Sequence, residues 1–224
     1  MSKWKKILVS ILLTVGIIFL FSPAIKNAII DGKIDKTMNR ITNDLKQADL
    51  YNNRKNNNEK TEPVHDLPSE LDVLKSLDYE GNPVAFLYIP STNLQLPIYG
   101  AVNNESLLHG AAEMKDYNTL GKGNYAIAGH RMRKRGLLFH DIPRLNIGDV
   151  VYVTDKDTVY EYKVNSSEII KEDETEVVAE RGKDEITLLT CDIPSEPFNR
   201  VAVKGDLIGS FQYSDDFISN SNKK

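Results

Sequence analysis

From Ile7 to Ile25 the chain carries no charged side chain, and Lys3, Lys5 and Lys6 precede that stretch. At about 1.5 Å rise per residue, a helix here covers most of a hydrocarbon core of about 30 Å. Lysines on the short side hold that end in the cytoplasm. The pattern therefore predicts a cytoplasmic tail over 1–6, a transmembrane signal anchor over 7–25 and an exported remainder. Ser22 and Ala24 are small enough for a processing site, so a cleaved signal peptide is the competing reading, and it exports the same remainder. Beyond the anchor, Ile34, Met38, Ile41 and Leu45 recur at helical spacing and predict one apolar stripe on a short stalk. The polar, asparagine-rich YNNRKNNNEKTEPVHDLPSE follows, read as a flexible spacer or loosely docked arm with His65 solvated. Stalk and linker together occupy 26–76.

From residue 77 the period changes. PVAFLYI, LQLPIYG, GNYAIAGH, DVVYVTD, VYEYKV, EITLLTC and RVAVKGDLIG are rich in β-branched and aromatic residues, and Gly, Asn, Asp and Pro separate them at short intervals. Seven or eight short strands predict a mainly β domain over 77–224, a closed barrel or a sandwich. Helical turns fit only short pieces, SLLHGAAEM and the segment around LLFHDIPRL. The length is ample for one core.

Composition narrows the function. A net charge of −4 over 224 residues gives no reason to expect a nucleic-acid partner. No Cys/His cluster has zinc spacing and no glycine-rich loop suits a phosphate, so neither a metal nor a cofactor is expected. The chain has one cysteine, Cys191. An exported lone thiol is a buried small hydrophobe, an intermolecular bridge or a reactive group.

Local context favours the reactive group. With period two, Thr187, Leu189 and Cys191 share one face of EITLLTC. The next strand is expected to open at Arg200, after the loop DIPSEPFN. An antiparallel hairpin then sets Cys191 and Arg200 nearly opposite, where facing Cβ atoms lie ~5 Å apart. A guanidinium keeps its proton and offers a fork of donors to an oxygen beside the sulfur. A thiol nucleophile also needs a proton partner. His130 ends GNYAIAGH, where alternation places Ala126, Ala128 and an exposed imidazole along one groove floor. His109 and His140 lie in amphipathic, helix-like contexts and read as partly buried structural histidines.

This combination resembles the sortase family. TLLTC matches its Thr-Leu-X-Thr-Cys signature, GHR at 129–131 matches its Gly-His, and Arg200 stands where the family keeps an arginine. GKGNYAIAGH, GLLFHDI, GKDEITLLTC and VAVKGDLIG are similar to the class A, bacillus-like branch. The resemblance implies an eight-stranded barrel and a cysteine transpeptidase acting on a Leu-Pro-X-Thr-Gly sorting signal of surface proteins. Cys191 would form a thioester with the Thr carbonyl, His130 would move protons and Arg200 would bind carbonyl oxygens. Ala128, Leu189, Thr190, Val177 and Val178 would line the substrate pocket, and the acceptor would be an amine of a peptidoglycan precursor such as lipid II. Some class A members bind calcium in the loop before the His-bearing strand. Here Lys115, Asn118 and Lys122 replace acidic ligands, and hard cations need oxygen donors, so no calcium requirement is expected. The competing readings are a non-enzymatic, membrane-tethered barrel that binds a wall component, and a papain-like hydrolase.

Overall fold

The computed structural model describes residues 3–62, 64, 68–115, 118–194 and 196–218, so His65 lies outside the described residues. Eight strands close a barrel: β1 (Ala85–Ile89), β2 (Leu94–Tyr99), β3 (Ala111–Glu113), β4 (Asn124–Ala128), β5 (Val150–Thr154), β6 (Thr158–Lys171), β7 (Glu185–Ile193) and β8 (Glu196–Gln212). Around the barrel they run β1-β2-β3-β4-β7-β8-β6-β5. Among the described residues each strand has a neighbour on both sides, so the closed barrel presents no edge strand. Two pairings are parallel, β2 with β3 and β4 with β7. The second of these sets the His-bearing strand beside the Cys-bearing one.

The seven apolar runs all fall on strands, and the strand they miss is β3. SLLHGAAEM divides between a short helix, Asn104–His109, and β3, because Gly110 has no room for a side chain: a Cβ there would lie 2.3 Å from the Pro97 carbonyl oxygen. LLFHDIPRL is a 3₁₀ turn over Phe139–Arg144. The hairpin loop is shorter than expected. β7 continues to Ile193 and β8 begins at Glu196, with a register shift between Cys191 and Ile193.

Helix α1 runs Lys3–Asn39, through the uncharged stretch and on into a π-helical turn over Arg40–Asp44. Among the described residues, no helix is long and apolar enough to cross a membrane. The stripe Ile34, Met38 and Ile41 is buried in the same core as the strands, joined by Ile30, while Leu45 packs against its edge. α1 packs against β2, the strand beside β1 in the barrel. Lys156 Nζ donates to the carbonyls of Ile41, Thr42 and Leu45 at 2.8, 3.1 and 2.8 Å, satisfying oxygens that a helix end leaves open. α2 (Gln47–Lys55) is docked by charge: Arg54 Nη1 lies 2.7 Å from Glu113 Oε1, and Tyr125 Oη donates to the same carboxylate at 2.7 Å. α3 (Glu70–Lys75) is capped by Ser69, whose hydroxyl accepts from Asp72 N. Through Glu70 it is tied to Lys26 and Ser22 of α1.

Candidate active site

In the β7–β8 ladder Cys191 and Arg200 are direct register partners. Cys191 is half-buried. Desolvation pushes its thiol above the ordinary value, Arg200 and Arg131 pull it back, and Glu172 adds to the rise. Arg200 Nη2 lies 3.4 Å from Glu172 Oε2, at the end of β6. Arg131 Nη1 reaches the Cys191 carbonyl at 3.4 Å and Asp192 Oδ1 at 3.8 Å. Asp192 sits at the register shift, so its carboxylate is held by Arg131.

His130 lies two residues beyond the end of β4, and the Gly129–His130 backbone is fixed from three directions. Gly129 N donates to Leu189 O at 3.1 Å, Thr190 Oγ1 donates to Gly129 O at 2.7 Å, and Phe139 N donates to His130 O at 2.9 Å. Gly129 must be glycine because a Cβ there would stand 2.6 Å from the Phe139 ring. His130 is only 5% exposed, not the open side chain that strand alternation suggests. Among the described residues its Nε2 is buried without a hydrogen-bond partner. Burial depresses its pKa to about 4, opposed by the negative charge of Asp72 on α3. At neutral pH the pair is therefore a thiol and an uncharged imidazole.

A cavity of about 450 Å³ joins these groups. Its lining includes Cys191, His130 and Arg200 together with Ala128, Leu189, Thr190, Val177 and Val178, so the fold brings every predicted site residue to one place. Thr190 is buried and its hydroxyl is committed to Gly129 O, which gives it a structural duty besides lining the wall. Glu62 N donates to Val102 O at 2.7 Å, which carries the arm before α3 along the cavity edge. His109 and His140 lie outside this lining. The Nδ1 of each is bonded to a backbone carbonyl, that of Glu105 at 2.7 Å and that of Met132 at 2.5 Å.

Sequence reasoning missed Glu172, Arg131 and Asp72, whose roles depend on which surface loops meet. It also missed Asn124, whose signal was slight: a polar residue opening a strand whose other positions are apolar. The Lys115 ammonium contacts both Glu180 Oε1 and the Asn124 carbonyl oxygen. These oxygens already hold an internal cation. The residues present do not fit a calcium site.

Comparison with known proteins gives a consistent result. A family model described as "Sortase domain" matches residues 87–208. The chain is 36% identical over 212 residues to sortase A of Listeria monocytogenes, covering 91% of each chain. To sortase A of Bacillus anthracis it is 41% identical over 145 residues, 65% of this chain and 69% of that protein. The solved structure of Listeria monocytogenes sortase A superposes with a TM-score of 0.61 at 33% identity, covering 63% of this chain and 98% of that one.

Proposed function

Because the chain belongs to the sortase family, as a class A cysteine transpeptidase of the bacillus-like branch, we propose a specific reaction for it. The enzyme cleaves a Leu-Pro-X-Thr-Gly-type signal between Thr and Gly and transfers the protein to an amine of a peptidoglycan precursor. The observation that carries this reading is the register of Cys191 against Arg200 at a cavity that also contains His130.

Cys191 Sγ attacks the Thr carbonyl carbon as its proton passes to His130. Arg200 donates to the oxyanion. The C–N bond breaks, the glycine amine leaves with the proton from His130, and a thioester remains. An incoming amine then attacks the thioester, gives its proton to His130, and the thiol is regenerated as the C–S bond breaks. Water in place of the amine gives hydrolysis. Val177, Val178, Leu189 and Ala128 supply apolar surface for the Leu-Pro part of the signal. We also propose that 7–25 anchors the enzyme in the cell membrane with the tail 1–6 inside and the barrel outside, on the strength of the uncharged run and its flanking lysines.

The test is incubation with quenched Leu-Pro-X-Thr-Gly peptides and candidate amines, lipid II among them, with products identified by mass. Cleavage after Thr and an amine adduct are expected, and folded Cys191→Ala should give neither. Substantial turnover by that variant would discard the assignment of the nucleophile.

A further inference from the structure

Asn124 opens β4 in parallel register with Glu185, and it is 1% exposed. Every polar atom it has is engaged. Its Nδ2 donates to the carbonyls of Val177 and Ala179, both at 3.2 Å, and its Oδ1 accepts from Thr187 Oγ1 at 2.8 Å. Its backbone N donates to Glu180 Oε2 at 2.8 Å, and its carbonyl accepts from Lys115 Nζ. Two carbonyls facing one side of the amide fix that side as the NH₂ group, so the orientation follows from the partners themselves.

Val177, Ala179 and Glu180 lie on the connection between β6 and β7. That connection contains a 3₁₀ turn, Thr175–Val178, whose own backbone bonds are local: Val177 N to Glu174 O, and Ala179 N to Glu176 O. Local bonds shape the turn but do not hold it to the barrel. The Asn124 amide does, from a strand whose far end leads directly into His130. Glu180 adds a second tie through the Asn124 N–H, and Lys115 holds the Glu180 carboxylate below its ordinary pKa by donating to it. Gly123 makes room for this: its φ is +63°, and a Cβ there would stand 2.2 Å from Glu180 Oε2.

We infer that Asn124 is a positioning residue that sets the Val177–Val178 wall of the substrate groove, and so tunes recognition of the sorting signal without touching the reacting atoms. The inference rests on the reading, given above, of those valines as the surface that meets the Leu-Pro part of the signal. A neutral amide suits the position because it can donate twice upward to the turn while accepting from Thr187 below. A carboxylate of the same shape would face two carbonyls as well as Glu180, and would push the turn away.

The experiment compares wild type, Asn124→Asp, Thr187→Val and the pair Val177→Ala/Val178→Ala in steady-state cleavage of a Leu-Pro-X-Thr-Gly peptide and its Leu→Ala analogue. Hydrogen exchange over 174–180 is followed in parallel. Asn124→Asp should speed exchange in that segment, raise KM about tenfold for the loss of two hydrogen bonds, leave kcat within about twofold, and blunt discrimination against the Leu→Ala peptide. Thr187→Val, which removes only the hydroxyl orienting the amide, should show the same split more mildly and keeps the test available if Asn124→Asp does not fold. If the valine pair raises KM while Asn124→Asp and Thr187→Val do not, the inference fails and the groove reading stands. Should the valine pair itself leave KM unchanged, the groove reading fails and takes the inference with it. A fall in kcat at constant KM would mark Asn124 as merely structural.

Discussion

Arg200 and Glu172 form an ion pair of 3.4 Å at the rim of the cavity that holds Cys191. The guanidinium lowers the thiol pKa and the carboxylate raises it, so the two oppose each other at one sulfur. Removing only the negative charge should tip that balance. Glu172→Gln is expected to speed alkylation of Cys191 a few-fold at pH 8, a modest effect because the carboxylate is part-exposed and screened. Unchanged or slower alkylation would mean that Glu172 acts mainly by orienting Arg200.

Arg200 itself should act through geometry as well as charge. Arg200→Lys retains the positive charge but loses the planar fork, and one lost oxyanion donor costs about 10²–10³ in rate. Cleavage kinetics of this variant within a few-fold of wild type would show that a point charge suffices.

The Cys191–Arg200 register was legible because strand alternation and a short hairpin leave few alternatives, even though the loop was drawn longer than it is. His130 was found for a similar reason: it ends a strand of small and apolar residues. Its burial is not legible, because elements distant in sequence, the Phe139 turn at its backbone and α3 with Asp72 among them, come to it only through tertiary packing. β3 escaped notice because three residues carry too little pattern to be told from the end of a helix. The stripe from Ile34 to Ile41 predicts a stalk helix, but a period alone does not say what the stripe packs on. Glu172, Arg131 and Asp72 follow the same rule, since their charges matter through loops distant in sequence.

Burial of the Arg54–Glu113 pair makes a prediction about the arm. The Glu113 carboxylate is raised by desolvation, and Arg54 and the Tyr125 hydroxyl oppose that rise. Arg54→Ala would leave the carboxylate buried without its cation, a change that costs about 3–5 kcal/mol. Urea unfolding at pH 7 should show that loss, and adding Glu113→Gln should recover part of it. In Arg54→Ala the folded Glu113 pKa rises further above its unfolded value. The deficit is therefore full above the variant's raised folded pKa, shrinks as the pH falls through it, and is smallest below the unfolded pKa, where both states are protonated. A deficit that grows toward acid pH would contradict this account.

Calcium should leave the rate unchanged. The Lys115 ammonium already bridges Glu180 and the strand that leads to His130, and a divalent ion would have to displace it. Cleavage assays with chelator and with millimolar calcium should agree within error. A several-fold activation by calcium would show that Lys115 yields its oxygens to the metal.

The last prediction concerns how the Cys–His pair is poised. Burial pushes the two groups in opposite directions, the thiol above its ordinary value and His130 down to about 4. Both shifts favour the uncharged form, so neutral thiol and neutral imidazole dominate at pH 7, and the ionised pair that reacts is a minority. Two arginines favour the thiolate, but among the described residues no carboxylate is hydrogen-bonded to His130 Nε2, and the Asp72 charge raises its pKa less than burial lowers it. Alkylation of Cys191 should therefore be sluggish at neutral pH and still be accelerating above pH 8.5, the ordinary thiol value. The cleavage profile should be bell-shaped, its two limbs belonging to the pair and not to either residue. The same burial has a cost in acid. Below pH 6.5 the unfolded imidazole binds a proton that the folded one refuses until about pH 4, so stability at this group is lost as the pH falls through that window. His130→Gln, which cannot charge, should flatten that part of the stability curve. Full-rate alkylation already at pH 6 would reveal a preformed thiolate–imidazolium pair, and this account of the chemistry would then be wrong.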